Sequence, residues 1–154
     1  MSGGAVASLP EGLLDGGVWF RVEAAPTAST VRRTAERLAV ELGMSERRIA
    51  DLSIVTAELA GNLVKHADEG VVLLRAARTA EQAAVELVAV DRGPGMADVA
   101  HSFGDGHSTA GTLGIGLGAI VRQASWCDMH SVPGKGTVLA VQVWPAQAPP
   151  VPWA

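Results

Sequence analysis

The chain has 154 residues, 48% of them hydrophobic, enough to bury one sizeable core, and carries a formal net charge of −4. That charge, with an isoelectric point near 5.5, gives no general attraction to phosphate backbones or anionic lipid and speaks against a nucleic-acid or membrane-surface protein. Cys127 is the only cysteine, which leaves no disulfide framework and no cysteine-based zinc site and suits a reducing cytoplasm.

In chain order, residues 1–17 are rich in Gly, Ala and Ser and lack a basic start and a continuous apolar stretch, so a flexible segment is expected rather than a signal peptide. No later segment offers about 18 uncharged apolar residues in a row, as a membrane span requires. Val18 to Glu23 reads as β-structure. Val31, Ala35, Leu38, Ala39 and Leu42 recur at helical spacing before Gly43, a helix stop. Ser45 suits the cap of a second helix whose apolar stripe is Ile49, Leu52, Val55, Leu59 and Leu63. Val71 to Ala76 and Ala84 to Val90 read as strands joined near Thr79 to Gln82. A short helical stretch around Ala97 to His101, a loop to Thr112, a helix from Gly114 to Ala124, and strands near Trp126 to Ser131 and Thr137 to Trp144 complete the pattern. Pro145 to Pro152 (PAQAPPVP) cannot continue a central strand and reads as a tail or the start of a linker. The expected division is a flexible segment 1–17, one domain 18–144 and a proline-rich tail 145–154.

Four short segments carry the chemistry. In the second helix, within ELAGNLVKH, Glu58 and Asn62 are four apart and project from one face, with Lys65 near them. A carboxylate there can orient or deprotonate a hydroxyl or water, and an amide oxygen is a hard ligand that Mg²⁺ accepts alongside waters and phosphate oxygens. By itself such a pair also describes a solvated helix face. Asp91, in DRGPGM, ends a strand and leads into a turn at Gly93 and Gly95; an ionised carboxylate accepts hydrogen bonds only, so it can read the exocyclic amine of adenine but not the keto oxygen that guanine has at that place. The same turn could be a simple cap. In STAGTLGIGLG, Gly114 and Gly116 open a helix whose amides can hold phosphates. No Lys-Ser or Lys-Thr follows, so this is no Walker loop, and no strand leads straight in, so it is no dinucleotide fingerprint. Finally, GKGTVL is a hairpin turn that delivers Thr137 to the end of a strand. His66 is read as a helix-end histidine, Cys127 as a core residue, and Trp19 and Trp144 as packing residues. His101, His107 and His130 form no metal cluster in the sequence.

Taken together in this order, the four segments resemble the N, G1, G2 and G3 boxes of the GHKL superfamily of ATPases and kinases, over residues 18–144. Within it the run DGHSTAGTLGIGLGAIVR after DRGPGM is most similar to the anti-sigma and switch-kinase branch, above all to RsbT-type kinases and the RsbT-like ATPase domains of SpoIIE-type phosphatase fusions. The resemblance implies the Bergerat fold, an α/β two-layer sandwich with a mixed, largely antiparallel sheet and helices on one face. It implies ATP and Mg²⁺ as cofactors, with Glu58 as catalytic carboxylate and Asn62 as metal ligand. Asp91, Gly93, Gly95 and Thr137 would form the base site, Gly114 and Gly116 would line the phosphates, and Lys65 would contact phosphate. About 18 residues separate the glycine turn from Gly114, a lid shorter than that of gyrase-type ATPases. The implied function is a serine/threonine kinase of the partner-switching type that phosphorylates STAS-domain proteins. The alternative is a nucleotide-dependent binding module that holds a sigma factor, a STAS protein or a phosphatase domain with little phosphoryl transfer. A histidine-kinase catalytic domain is disfavoured, because no dimerisation helix with a phospho-accepting histidine precedes the N box.

Overall fold

A computed structural model describes residues 9–93 and 112–146, with side chains omitted at 112–115. Along the chain run β1 (Val18–Arg21), α1 (Ala25–Glu41), α2 (Glu46–His66), β2 (Val71–Arg78), β3 (Ala83–Asp91), α3 (Thr112–Gln123), β4 (Trp126–Val132) and β5 (Gly136–Val143). The expected stretch Ala97 to His101, the lid and Gly95 lie outside the described residues.

Local chemistry sets the helix ends. Pro26 sits in the first turn of α1, where its missing N–H costs nothing, so the helix starts at Ala25, more than a turn before the apolar repeat from Val31. At the other end Gly43 takes φ +76°. Its N–H bonds the Val40 carbonyl while the Met44 N–H bonds that of Ala39, both at 3.0 Å, a Schellman closure that also buries Met44. Ser45 caps α2 as expected, its hydroxyl accepting from the Arg48 N–H at 3.2 Å.

The strand order is β1-β2-β3-β5-β4, and all four pairings are antiparallel, so the parallel component of a mixed sheet is not found among the described residues. Strand alternation sends Val72, Leu74, Val85, Leu87, Ala89, Met129, Leu139, Val141 and Val143 into one core with Val31, Leu38, Leu52, Val55, Leu59, Leu63, Leu117 and Ile120 of the helices. This is a two-layer sandwich. Among the described residues no helix is long and apolar enough to cross a membrane.

The opposite sheet face holds a polar ladder. Arg75 pairs with Glu86, which is only 3% exposed, and the Gln142 amide donates to the other Glu86 oxygen at 2.6 Å. Trp144 donates its indole N–H to the side-chain amide oxygen Oε1 of Gln142 at 3.0 Å and is buried as expected. Trp19, by contrast, is 59% exposed on the edge strand β1, so its assignment to packing is corrected. Its Cα partner is Leu73, so strand alternation turns it away from the helices. At the other end of α2, Arg48 donates to the Trp144 carbonyl and to Ser125 Oγ, each at 2.9 Å, and pairs with Asp51 at 2.8 Å. This clasp ties the start of α2 to the end of β5.

Candidate nucleotide and phosphoryl-transfer site

The structure brings the C-terminal half of α2, the end of β3, the start of β5 and α3 to one end of the sheet. Glu58 and Asn62 lie on the α2 flank that faces α3, and Gly116 of α3 sits directly over them. A methyl group at Gly116 would stand 2.8 Å from Glu58 Oε2, 3.2 Å from Asn62 Oδ1 and 3.3 Å from Asn62 Nδ2. Only a residue without Cβ lets α3 approach this closely, so its presence here is a matter of packing as well as of loop flexibility. Asn62 Nδ2 is buried without a hydrogen-bond partner among the described residues. A buried donor left unpaired is costly, and an anionic oxygen entering between α2 and α3 would satisfy it.

Asp91 closes β3 with its Oδ1 accepting the Gly93 N–H at 2.7 Å. Gly93 is wedged against the end of α2: a Cβ there would meet Asp91 Oδ1 at 2.9 Å and the His66 carbonyl at 3.3 Å. The Arg92 N–H then bonds the Asp68 carbonyl at 3.0 Å, fixing the strand end beside the helix end. Partial burial pushes the Asp91 carboxyl above the ordinary aspartate range; the Gly93 amide opposes that shift and the nearby Asp68 charge adds to it. Thr137 is the Cα partner of Asp91 on β5. Gly136, at φ +135°, leaves no room for a side chain, since a Cβ would overlap the Asp91 carbonyl and press on Arg92.

Two expected residues sit less centrally. Lys65 is exposed and lines a groove of about 240 Å³ with Ala25, Ala28 and Arg32 of α1 and Gly61 of α2, on the flank facing α1 rather than α3. Gly114 belongs to α3, two residues before Gly116. Cys127 is half-buried against the core, and burial, followed by the neighbouring Asp128, raises its thiol pKa, as suits a packing residue rather than a nucleophile. Among the described residues no group of three or more His, Cys, Asp or Glu is arranged to hold a metal. The residues nonetheless fit Mg²⁺, which favours oxygen ligands and commonly needs only one or two from the protein when phosphates supply others. Asn62 offers such an oxygen beside the Glu58 carboxylate. Sequence reasoning missed Ser131, whose hydroxyl lies 2.9 Å from that of Thr137; counting back across the Gly134 turn would have paired the two.

Residues 20–143 match the histidine kinase-like ATPase domain model. The chain belongs to the histidine kinase-like ATPase domain family. Within this family of ATP-binding domains, the chain is 30% identical over 113 residues to the serine/threonine-protein kinase RsbT of Bacillus subtilis (strain 168), covering 73% of this chain and 85% of that protein. Among solved structures, it resembles the histidine kinase domain of the blue-light activated histidine kinase of Erythrobacter litoralis EL346 with a TM-score of 0.51 at 15% identity, over 78% of this chain. A longer structure of that kinase gives a TM-score of 0.52 at 13% identity over 83% of this chain. This ATPase domain spans 61% and 42% of those two structures, respectively, and the likeness to them is one of fold.

Proposed function

We propose that this ATPase domain is a Mg²⁺- and ATP-dependent serine/threonine protein kinase of the bacterial partner-switching type, acting in the cytoplasm on Ser or Thr of STAS-domain proteins. The observation that carries this reading is the approach of Gly116 to Glu58 and Asn62. It sets the helix that would hold phosphates against a carboxylate and an amide, at the end of the sheet where Asp91 and Thr137 pair. The identity to RsbT supports the choice of a serine/threonine kinase over other members of the family. The working domain is taken as residues 18–144, with flanking segments 1–17 and 145–154, the first of which sends Leu13 into the core.

In this reading Asp91 accepts the adenine amine, Thr137 completes the base site, and Gly93 and Gly95 keep the pocket floor thin. Gly114 and Gly116 bring backbone to the phosphates, and Asn62 Nδ2 donates to a phosphate oxygen. Asn62 Oδ1 would hold the metal, whose charge would offset that of the phosphates when bound. Glu58 orients the substrate hydroxyl and accepts its proton as that oxygen bonds the γ-phosphorus and the bond to the β-phosphate oxygen breaks. Lys65, exposed at the α1 flank, is assigned at most a peripheral phosphate contact.

The two α2 residues separate by experiment. Asn62→Ala should weaken MgADP binding in titration calorimetry, whereas Glu58→Gln keeps size and polarity and should spare binding while lowering phosphorylation of a STAS protein. The unaltered chain should prefer ADP to GDP by about 1 to 3 kcal/mol, the cost of opposing Asp91 to a keto oxygen. Normal binding and transfer by both variants would refute the assignment. Strong ADP binding with no transfer by the unaltered chain would leave a binding module that holds a sigma factor, a STAS protein or a phosphatase domain.

A further inference from the structure

We infer that the sheet face turned away from the helices is a docking surface for a second copy of this chain, packed sheet to sheet with β1 of each copy over β4 of the other. A sheet with one face on a core and the other in water alternates apolar and polar residues along each strand. The central strands here do not alternate. Between core positions such as Val72, Leu87 and Val141 stand Val71 and Leu73 on β2, Val88 and Val90 on β3, and Val138 and Ala140 on β5. Strands that are apolar on both faces read as strands covered on both. Among the described residues this second face is left partly open: all of these side chains are only partly buried or exposed, Val138 at 39%, and Trp19 beside them is 59% exposed.

The occupant follows from the way the face complements itself. Register aligns its outward residues in rows: Trp19, Leu73, Val88, Ala140 and Asp128, and next to them Arg21, Val71, Val90, Val138 and His130. Along the first row the side chains shrink from the β1 edge to the β4 edge. Charge changes sign in the same direction, from Arg21 to Asp128, both exposed and neither in a salt bridge among the described residues. The other outward charges of the strands, Arg75 and Glu86, already pair with each other. A two-fold axis lying between two facing sheets and running along β3 sets Leu73 over Ala140 and the Arg21 edge over the Asp128 edge, once on each side. Large then meets small and plus meets minus. With packed sheets about 10 Å apart, Arg21 stands one row, about 7 Å, along the strand from Asp128 of the second copy, within the reach of an arginine side chain. The alternative axis, across the strands, would set β1 over β1 and oppose Arg21 to Arg21, so charge selects the first arrangement. Asp91 and Thr137 are in phase with the core residues Ala89 and Leu139 and so lie on the helix-facing side, which leaves the candidate site of each copy clear of the contact.

Sedimentation equilibrium of the full chain at low salt tests the contact, with no nucleotide and no activity in the readout. The unaltered chain should dimerise reversibly. Arg21→Glu and Asp128→Arg each change an exposed edge residue, and each should weaken the dimer by about tenfold or more, because one reversal turns two attractive contacts repulsive. The double variant, which exchanges the two signs, should dimerise like the unaltered chain. An equimolar mixture of the two single variants should also recover, as heterodimers in which both contacts again pair opposite charges, and that recovery shows in addition that each variant is folded. A monomer at every concentration overturns the inference, whatever else covers the face. So does a dimer indifferent to either single reversal, which would use another surface, and so does a loss in the single variants with no recovery in the double variant or the mixture.

Discussion

Replacing Gly116 by alanine tests the central packing feature of the site, because the change adds one methyl group at a place where the geometry is known. That methyl would lie 2.8 Å from Glu58 Oε2 and 3.2 and 3.3 Å from the two Asn62 amide atoms. Carbon and oxygen do not settle at 2.8 Å, so the Glu58 carboxylate must swing aside by several tenths of an ångström, and the Asn62 amide, a shorter and more confined group, must give slightly. Pushing a side chain about 30° from its rotamer costs roughly 0.5 to 1.5 kcal/mol. Against this, alanine in a helix interior gains about 0.8 to 1 kcal/mol over glycine. The two effects nearly offset, so thermal unfolding should change little, within a few degrees. If Glu58 and Asn62 act as proposed, function should not be spared, since displacing reacting groups by the order of 1 Å can cost about 10²-fold in rate. Gly118→Ala is the control: its methyl meets only the end of the Arg122 side chain, at 3.2 Å, and it should raise stability slightly and leave activity alone. Phosphorylation of a STAS protein and MgADP affinity, measured on both variants beside their melting curves, decide the matter. If Gly116→Ala binds and transfers as well as Gly118→Ala, the contact between α3 and the Glu58–Asn62 pair has no functional meaning.

The raised carboxyl of Asp91 predicts a pH dependence in ADP binding. If, as proposed, the ionised form accepts the adenine amine, affinity should rise with pH through a value above the ordinary aspartate range and then stay flat, and Asp91→Asn should flatten the profile when it is titrated calorimetrically. For the nucleotide-free fold the sign is opposite: the folded carboxyl holds its proton more tightly than the unfolded one. Its contribution to stability therefore declines as pH rises from the ordinary range to the raised value, visible as a difference between denaturation midpoints of the unaltered chain and Asp91→Asn. Gly136→Ala should destabilise by more than about 2 kcal/mol in urea unfolding, because a Cβ at φ +135° would overlap the Asp91 carbonyl; a loss below 0.5 kcal/mol, about the scatter of ordinary surface substitutions, would contradict the tight β3–β5 junction.

Much of the molecule was legible in one dimension because its signals are short-range. The 3.6-residue repeat of Leu52, Val55, Leu59 and Leu63, the Ser45 cap and the Gly43 stop act within a turn or two of themselves, and each element they mark is present. The same holds for the alternation in Ala84 to Val90 and for the hairpin at Gly134. The order of Glu58, Asn62, Asp91, Gly116 and Thr137 was enough to suggest a nucleotide site, since these residue types carry their chemistry wherever they stand. Which of them touch was decided only by folding. Gly116 meets Glu58 and Asn62 because α3 packs across α2, more than fifty residues away in the chain. Ser131 meets Thr137 because strand register sets them opposite one another, and Lys65 turns to α1 because the helix wheel divides its neighbours between two flanks. Trp19 is exposed because it is placed on an edge strand with its side chain on the face away from the helices, a consequence of pairing that no local pattern contains. Propensity and capping act through bonds a few residues apart, whereas contacts between elements depend on register and crossing geometry, which the core sets as a whole.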